Sequence, residues 1–194
     1  MKKLFLLILI SFFCINANAQ KKKKSNIKVT KTNVLAKTDN VSVEINNNNL
    51  NFYINNGKLK DSINIKSLTI TPTECKIKAF ITKNNTFYLL TYLEKSLIQN
   101  PNKTEDITVT NSEIYDIVSK TKVYGNIQKT TKITEKIFLD RLKNASETQE
   151  KMRNEGYMFT LMTDGDISLS SKTKSSKLTY DLTTKQFIEN KKKK

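Results

Sequence analysis

Histidine is absent from this 194-residue sequence, and its absence removes several kinds of chemistry. Ser-His-Asp and Cys-His catalytic groups, histidine zinc sites and histidine pH switches all require an imidazole. Glycine is scarce as well, with four residues in all, and none lies in a GxGxxG or GxxxxGKS/T phosphate-binding pattern. The sequence therefore predicts no catalytic, cofactor-binding or metal-binding residues, and it favours a non-enzymatic function.

Long apolar runs are also missing, apart from one near the start. Residues 4–15 are mostly apolar but number only about a dozen, whereas a bilayer-spanning helix needs about 20. Two lysines precede this run, and Ala17 and Ala19 follow it as the small residues that a signal peptidase accepts. The pattern predicts a signal peptide cleaved after Ala19. The mature chain would begin at Gln20 and reach the periplasm or the outside medium.

Cysteine is limited to two residues, and signal cleavage would remove Cys14. A single remaining cysteine excludes an internal disulfide, a cysteine-cluster metal site and CxxC redox chemistry. Cys75 lies in the alternating stretch CKIKAFI, in phase with Ile77, Ala79 and Ile81. In a strand these four side chains share one face, so Cys75 is predicted to be a small buried residue rather than a reactive thiol.

Acidic residues are few compared with basic ones, and the formal net charge is +16. Loss of the two signal-peptide lysines leaves +14, of which +11 lies in residues 20–38 and 191–194. The body, residues 39–190, carries only +3, with acids and bases interspersed. A nucleic-acid-binding domain would concentrate basic and aromatic side chains on one face of the fold, so nucleic acid is not a predicted partner.

The lysine-rich ends lack glycine and aromatic residues, and both are predicted to be disordered. We expect them to contact anionic envelope polymers or lipid head groups weakly, each lysine contributing about 1 kcal/mol near an anionic surface. Solvation of the ends without any partner is the alternative. The expected contact residues are the two lysine runs: Lys21, Lys22, Lys23, Lys24, Lys191, Lys192, Lys193 and Lys194.

The body reads mainly as short strands separated by polar turns. Residues 41–45 and 50–54 each alternate apolar and polar side chains around a run of asparagines, which predicts a hairpin. Residues 86–98 fit the spacing of either a strand or a helix. Their aromatic side chains and the asparagine-rich turn before them favour a strand for residues 86–93.

Residues 133–154 break the strand pattern. Apolar residues there recur with helical spacing, and Gly156 is well placed to end a helix. A late amphipathic helix covering an antiparallel sheet gives an α+β single domain. An all-β sandwich decorated by the same helix is the alternative. The predicted apolar stripe consists of Ile133, Ile137, Phe138, Leu142, Ala145 and Met152.

Carboxylates are the remaining groups that could support catalysis. A glycosidase needs two carboxyl groups facing each other across a cleft. Glu105 and Asp106 are adjacent, so in a strand they would point to opposite faces. Asp164 and Asp166 flank Gly165, but the residues after them do not complete a calcium-binding loop, and a hairpin turn is favoured.

These observations predict an exported bacterial protein of the envelope or periplasm that is β-rich, basic and of the binding or scaffold type. A composition rich in Lys, Asn and Ile suggests the bacterial source. The lysine tails would provide weak affinity for anionic surfaces. A small carboxylate-dependent hydrolase, acting for example on glycans, is the alternative, because acids from separate strands meet only in the folded chain. No cofactor and no transmembrane segment are expected in the mature chain.

Overall fold

The computed structural model describes residues 33–56 and 59–189, which form antiparallel strands without any helix. Three sheets follow one another along the chain: an N-terminal sheet of β1–β4, a central sheet of β5–β9 and a C-terminal sheet of β10–β13. The strands are β1 (Asn33–Thr38), β2 (Val41–Asn46), β3 (Asn49–Asn56), β4 (Leu59–Ser67), β5 (Thr73–Thr82), β6 (Asn85–Asn100), β7 (Lys103–Asp116), β8 (Thr121–Phe138), β9 (Ser146–Gly156), β10 (Met158–Leu161), β11 (Ile167–Ser170), β12 (Ser175–Asp181) and β13 (Gln186–Glu189).

Each sheet is a meander in which every strand pairs with the strand before it. The turns have the residues that such tight connections need. Asn47 and Asn48 join β2 to β3 with φ values of 47° and 61°, and Lys83 and Asn84 join β5 to β6 with φ values of 49° and 61°. Two successive positive φ values match the twist of a two-residue hairpin, and asparagine tolerates them well. The predicted hairpin of residues 41–54 is thus confirmed.

The central sheet packs on both of its faces, and the alternation of β6 shows why. Tyr88 and Leu90 point to the N-terminal sheet and share a core with Val43 and Phe52. Phe87 and Leu89, the alternate residues, belong to a second core with the C-terminal sheet. Because successive strand residues face opposite ways, a nearly continuous apolar run is what a strand buried on both faces requires.

The second core is mainly aromatic. Phe87 lies 4.7 Å from Tyr180 between ring centroids, and Phe187 lies 5.4 Å from Tyr180. Phe80 and Tyr124 pack at its margin. Tilted and edge-on ring pairs of this kind add to the stabilisation that burial provides.

The central sheet continues well beyond both cores. β8 has 18 residues and would extend about 60 Å at the usual rise of a strand. We call the part of the sheet formed by residues 95–108 and 130–154 the distal arm. Its boundary is a row of paired residues, in which Lys95 pairs with Thr108, Thr108 with Thr130, and Thr130 with Asn154. Neither core cluster includes a residue of this arm.

The predicted helix of residues 133–154, and with it the α+β class, is wrong. β8 continues to Phe138, a loop spans residues 139–145, and β9 returns along β8 from Ser146 to Gly156. The all-β part of the alternative agrees with the structure, but its decorating helix does not. Ile133 and Ile137 are four residues apart, a spacing that places them on one face in a strand as well as in a helix. The hydrogen-bonding partners β7 and β9 on either side of β8 decide between the two.

Two other expectations concern residues on β1 and β6. The strand favoured for residues 86–93 is confirmed, and β6 extends it to Asn100. β1 begins at Asn33, so the last part of the basic segment 20–38 is an ordered edge strand rather than disordered chain.

Candidate functional site

Two acids lie on the central sheet where it faces the N-terminal sheet, one buried and one partly buried. Glu94 follows Tyr88, Leu90 and Tyr92 in the inward phase of β6 and is 9% exposed. Glu113 is inward on β7, directly opposite Leu90. A charged residue in the apolar phase of a strand is a signal that sequence reasoning could have used and missed.

Glu94 is held by partners from two other strands. Lys66 Nζ on β4 lies 2.8 Å from one carboxylate oxygen and 2.9 Å from the other. Asn111 Nδ2 on β7 donates to Glu94 at 3.2 Å. The Lys66 ammonium neutralises the buried charge of Glu94, and the Asn111 amide satisfies a second lone pair of the carboxylate. The ion pair between Lys66 and Glu94 therefore connects the N-terminal sheet to the central sheet at the edge of the core.

Glu113 has a similar set of partners. The Tyr115 hydroxyl donates to it at 2.6 Å, and Lys122 Nζ lies 3.2 Å away. Burial, followed by the charge of Glu113, raises the pKa of Tyr115 far above its ordinary value. Burial, followed by the charges of Glu113 and Glu94, raises the pKa of Tyr92 as well. Both hydroxyls therefore stay protonated and cannot act as bases near neutral pH.

The second buried acid lies within the N-terminal sheet. Glu44 on β2 accepts hydrogen bonds from Lys60 at 2.8 and 3.0 Å and from Ser42 at 2.7 Å. Burial alone would raise the pKa of Glu44, but the hydrogen bonds from Lys60 and Ser42, with the charges of Lys60 and Lys37, outweigh it and hold the pKa below its ordinary value. A carboxylate that is paired with a lysine and favoured in its ionised form suits a structural role better than proton transfer.

The acid pairs considered from the sequence do not form a catalytic site. Glu105 and Asp106 point to opposite faces of β7, as expected for adjacent strand residues, and a hydrogen bond from Lys103 lowers the pKa of Glu105. Asp164 and Asp166 come together, but Lys177 Nζ lies 2.9 Å from each of them and occupies the space between the carboxylates.

The turn between Asp164 and Asp166 has the chemistry of a hairpin connection. Gly165 has φ +82°, and Asp164 accepts the backbone N–H of Asp166 at 3.0 Å. The hydrogen bond from Lys177, followed by that from the Asp166 N–H, lowers the pKa of Asp164. The hydrogen bonds that Lys177 makes to Asp164 and to Asp166 raise the pKa of Lys177. One ammonium thus pairs with both carboxylates, of which Asp164 is exposed and Asp166 is partly buried.

Cys75 has the features of an unreactive thiol. It packs at the margin of the first core, and burial raises the pKa of its thiol to about 11. A thiol that stays protonated is a poor nucleophile and a poor metal ligand. In the described part of the chain, no three cysteine, aspartate or glutamate side chains come together as a metal site would require.

Among the surface clefts that adjoin the C-terminal sheet, two are lined in part by apolar side chains, and neither of these contains a buried acid. One, of about 670 Å³, lies beside Met152, Arg153 and Gly156 where β9 passes the C-terminal sheet. The other, of about 490 Å³, is mostly apolar and lies between Phe80 and Ile81 of β5 and Met162 after β10. Neither cleft brings together the acid and base groups that catalysis needs.

The end of the distal arm carries a different combination of residues. The loop between β8 and β9 contains the exposed residues Leu139 and Leu142, with Phe138 half-buried beside them. Three cations lie in the same stretch, and none of them makes an ion pair within residues 33–56 and 59–189: Lys136, Arg141 and Lys143. This grouping of apolar and basic residues was missed because the segment was interpreted as one helical stripe.

The residues predicted from the sequence to mark export and anionic contacts lie outside the described residues. These are Ala17, Ala19 and Gln20 at the expected cleavage site, Lys21–Lys24, and Lys191–Lys194.

Comparisons with protein-family models, with curated proteins and with solved structures give no match to this chain. Among the described residues there is no helix of the length and apolarity needed to cross a bilayer.

Proposed function

We propose that the protein is an exported, non-enzymatic binding or scaffold protein of the bacterial envelope that associates with anionic surfaces. The observation that carries the proposal is that the enclosed acids are paired with lysines, whereas much of the basic charge is in excess of the acidic charge. Glu44, Glu94 and Glu113, which are among the most enclosed acids, each have a lysine partner. The lysine runs and the basic end of the distal arm, by contrast, add positive charge that these acids do not balance.

The alternative of a carboxylate-dependent hydrolase has less support. A hydrolytic pair needs one acid that keeps its proton and one that loses it, with room for substrate between them. Asp164 and Asp166 share one ammonium, and Glu94 and Glu113 are each engaged by a lysine and a neutral donor. These contacts favour a role in holding strands together.

Binding to anionic surfaces can be measured with the chain that begins at Gln20. We expect it to be retained on dextran sulfate and on vesicles of phosphatidylglycerol and phosphatidylcholine, with affinity that falls as salt increases. Replacement of all eight terminal lysines by glutamine should weaken retention at low salt by at least about tenfold, given about 1 kcal/mol per lysine near the surface.

A variant with eight lysines of the body replaced by glutamine, chosen from exposed positions outside residues 130–154, controls for net charge alone. Equal retention of the wild-type chain and the terminal variant would show that the tails take no part. Failure of the wild-type chain to bind either anionic material would contradict the proposed function.

A further inference from the structure

We propose that the loop at the end of the distal arm inserts its leucines into the head-group region of an anionic lipid bilayer. The tip loop, as we call residues 139–145, connects β8 to β9. This inference rests on the proposed association with anionic surfaces and names a bilayer as the surface. It is carried by four observations: the position of the loop, its apolar exposure, its internal hydrogen bonding and its charge.

The tip loop lies at the end of the central sheet that is remote from both cores. β6, β7, β8 and β9 all reach this end, and the turn between β6 and β7 lies beside the loop, since Lys136 N–H donates to the Asn102 carbonyl at 2.8 Å. The cores contain residues only from the other part of these strands. A flat surface can therefore reach the tip before it meets the packed sheets.

The tip presents apolar side chains that nothing in the described chain covers. Leu142 is 80% exposed and Leu139 is 63% exposed. Leu97 and Ile98, near the neighbouring turn, are exposed on opposite faces of the sheet. Several exposed large apolar residues at one end of a strand pair are unfavourable in water and indicate a surface that becomes covered.

The loop conformation is already ordered by hydrogen bonds. Asp140 accepts the backbone N–H groups of Asn144 at 2.8 Å and Ala145 at 3.2 Å, and Leu139 N–H donates to the Ala145 carbonyl at 3.0 Å. Lys143 N–H donates to the Asp140 carbonyl at 3.2 Å. A preordered loop can present its leucines without the entropic cost of folding on contact.

The charges of the tip complement an anionic head-group layer. Residues 136–145 contain three cations and one acid, and both carboxylate oxygens of Asp140 are already engaged by the loop backbone. Lys136 and Lys143 hold their ammonium groups 5.3 and 5.4 Å from the Phe138 ring centroid. Cations beside apolar side chains are the combination that binds at the lipid interface, where charge attracts and apolar groups insert.

The leucines are the reason to choose a bilayer over an anionic polymer. A polymer would reward Arg141 and the lysines but would leave Leu139 and Leu142 in water. A bilayer accommodates both, because the apolar side chains can pass below the head groups that the cations bind.

A fluorescence experiment can test insertion directly, because the protein contains no tryptophan. Leu142→Trp places a single indole at the tip, and Leu182→Trp places one at another exposed leucine, in the turn between β12 and β13. On vesicles of equal parts phosphatidylglycerol and phosphatidylcholine, we expect the emission of the first variant to shift to the blue and that of the second to stay unchanged. Bound protein without a shift in the Leu142→Trp variant would overturn the inference.

A binding experiment separates this inference from the proposed function. Leu139→Ser with Leu142→Ser should weaken partitioning to these vesicles by at least about tenfold and leave retention on dextran sulfate unchanged. The matched control is Val118→Ser with Leu182→Ser, which removes two comparably exposed apolar residues from other turns. Equal vesicle binding by the two double variants would overturn insertion while leaving the anionic association intact. If the wild-type chain binds neither the vesicles nor dextran sulfate, both proposals are overturned.

Discussion

At the scale of single residues, the main feature is that lysines pair with acids on interior strands of the sheets. Glu94 and Glu113 lie in the inward phase of their strands, whereas Glu44 lies on the face of β2 opposite the core residues Val41 and Val43. Each of the three carboxylates is paired with a lysine that keeps part of its side chain in water. Among the described residues, the Thr131 hydroxyl on β8 is the one buried side-chain polar group without a hydrogen-bond partner.

Removal of Lys66 should reveal the cost of an unpaired Glu94. Lys66→Met keeps most of the side-chain volume but leaves the carboxylate with only its Asn111 partner. We expect the free energy of unfolding to fall by about 2 kcal/mol, at the low end for a buried pair because Lys66 is partly exposed. Urea titration would measure it.

The control for this change is Lys95→Met, one residue from Glu94 in sequence. It removes an ion pair with Glu74 in which both partners are exposed, and it should change stability by no more than about 0.5 kcal/mol. Equal effects of the two substitutions would mean that Glu94 does not depend on Lys66.

Glu44 should make the stability of the protein depend on pH on the acid side. Its pKa is lower in the folded chain than the ordinary 4.5, so its contribution is complete above about 4.5 and is lost as pH falls through the folded value. Glu44→Gln should destabilise the protein at pH 7 by about 1–2 kcal/mol. The difference from the wild-type chain should shrink as the pH falls below the ordinary value of 4.5, as measured by denaturant unfolding at each pH. A difference that stays constant down to the lowest pH at which the wild-type chain is folded would contradict this assignment.

At the scale of elements, the long strands of the central sheet determine where binding surfaces can form. β9 lies at the sheet edge, pairs only with β8 among the described strands, and is rich in charged residues: Glu147, Glu150, Lys151, Arg153 and Glu155. Charges on an edge strand oppose pairing with a second chain. They also explain why the segment resembles a surface helix in sequence, since both are polar and exposed.

Gly156 ends β9 and directs the chain into the C-terminal sheet. It has φ +82°, and a Cβ at this position would clash with the carbonyl oxygen of Ile127. Gly156→Ala should therefore lower the free energy of unfolding by about 2 kcal/mol or more, from backbone strain and the clash together.

Gly125 provides the comparison, because it lies in β8 and a Cβ there would approach nothing closer than 3.9 Å. Gly125→Ala should be neutral or stabilising by about 0.5 kcal/mol. Thermal and urea unfolding of the two alanine variants would measure the difference. Similar stability of the two would show that the β9–β10 junction adapts to a side chain.

At the scale of the whole molecule, the central sheet takes part in both cores. Neither the N-terminal nor the C-terminal sheet buries its inner face without it, since Tyr88 and Leu90 complete one core and Phe87 and Leu89 the other. Two cores that share one set of strands should lose their structure together.

Substitutions in the two cores can test this cooperativity. Leu90→Ala should destabilise the first core by about 2–5 kcal/mol and Phe87→Ala the second by about 3–5 kcal/mol. In both variants we expect one unfolding transition, moved to lower denaturant, when tyrosine fluorescence and far-UV circular dichroism are compared. Two separate transitions in either variant would show that the sheets unfold independently.

The sequence by itself determined the features that depend on local order along the chain. The alternation of residues 41–54 and the asparagine turns predict a β-rich protein. The absence of histidine excludes the catalytic groups that need an imidazole. The opposite orientation of Glu105 and Asp106 also follows from strand geometry alone. The predicted export signal and lysine contacts lie in residues that the structure does not describe, and they remain predictions.

Only the tertiary structure decided which partners meet across strands. Ile133 and Ile137 have a spacing that a helix and a strand share, and the pairing of β8 with β7 and β9 settles their conformation. The contact of Lys66 with Glu94 joins residues 28 positions apart and depends on how one sheet lies on another. Local periodicity carries no information about such distant contacts, so neither the paired acids nor the exposed tip of the arm could be read from it.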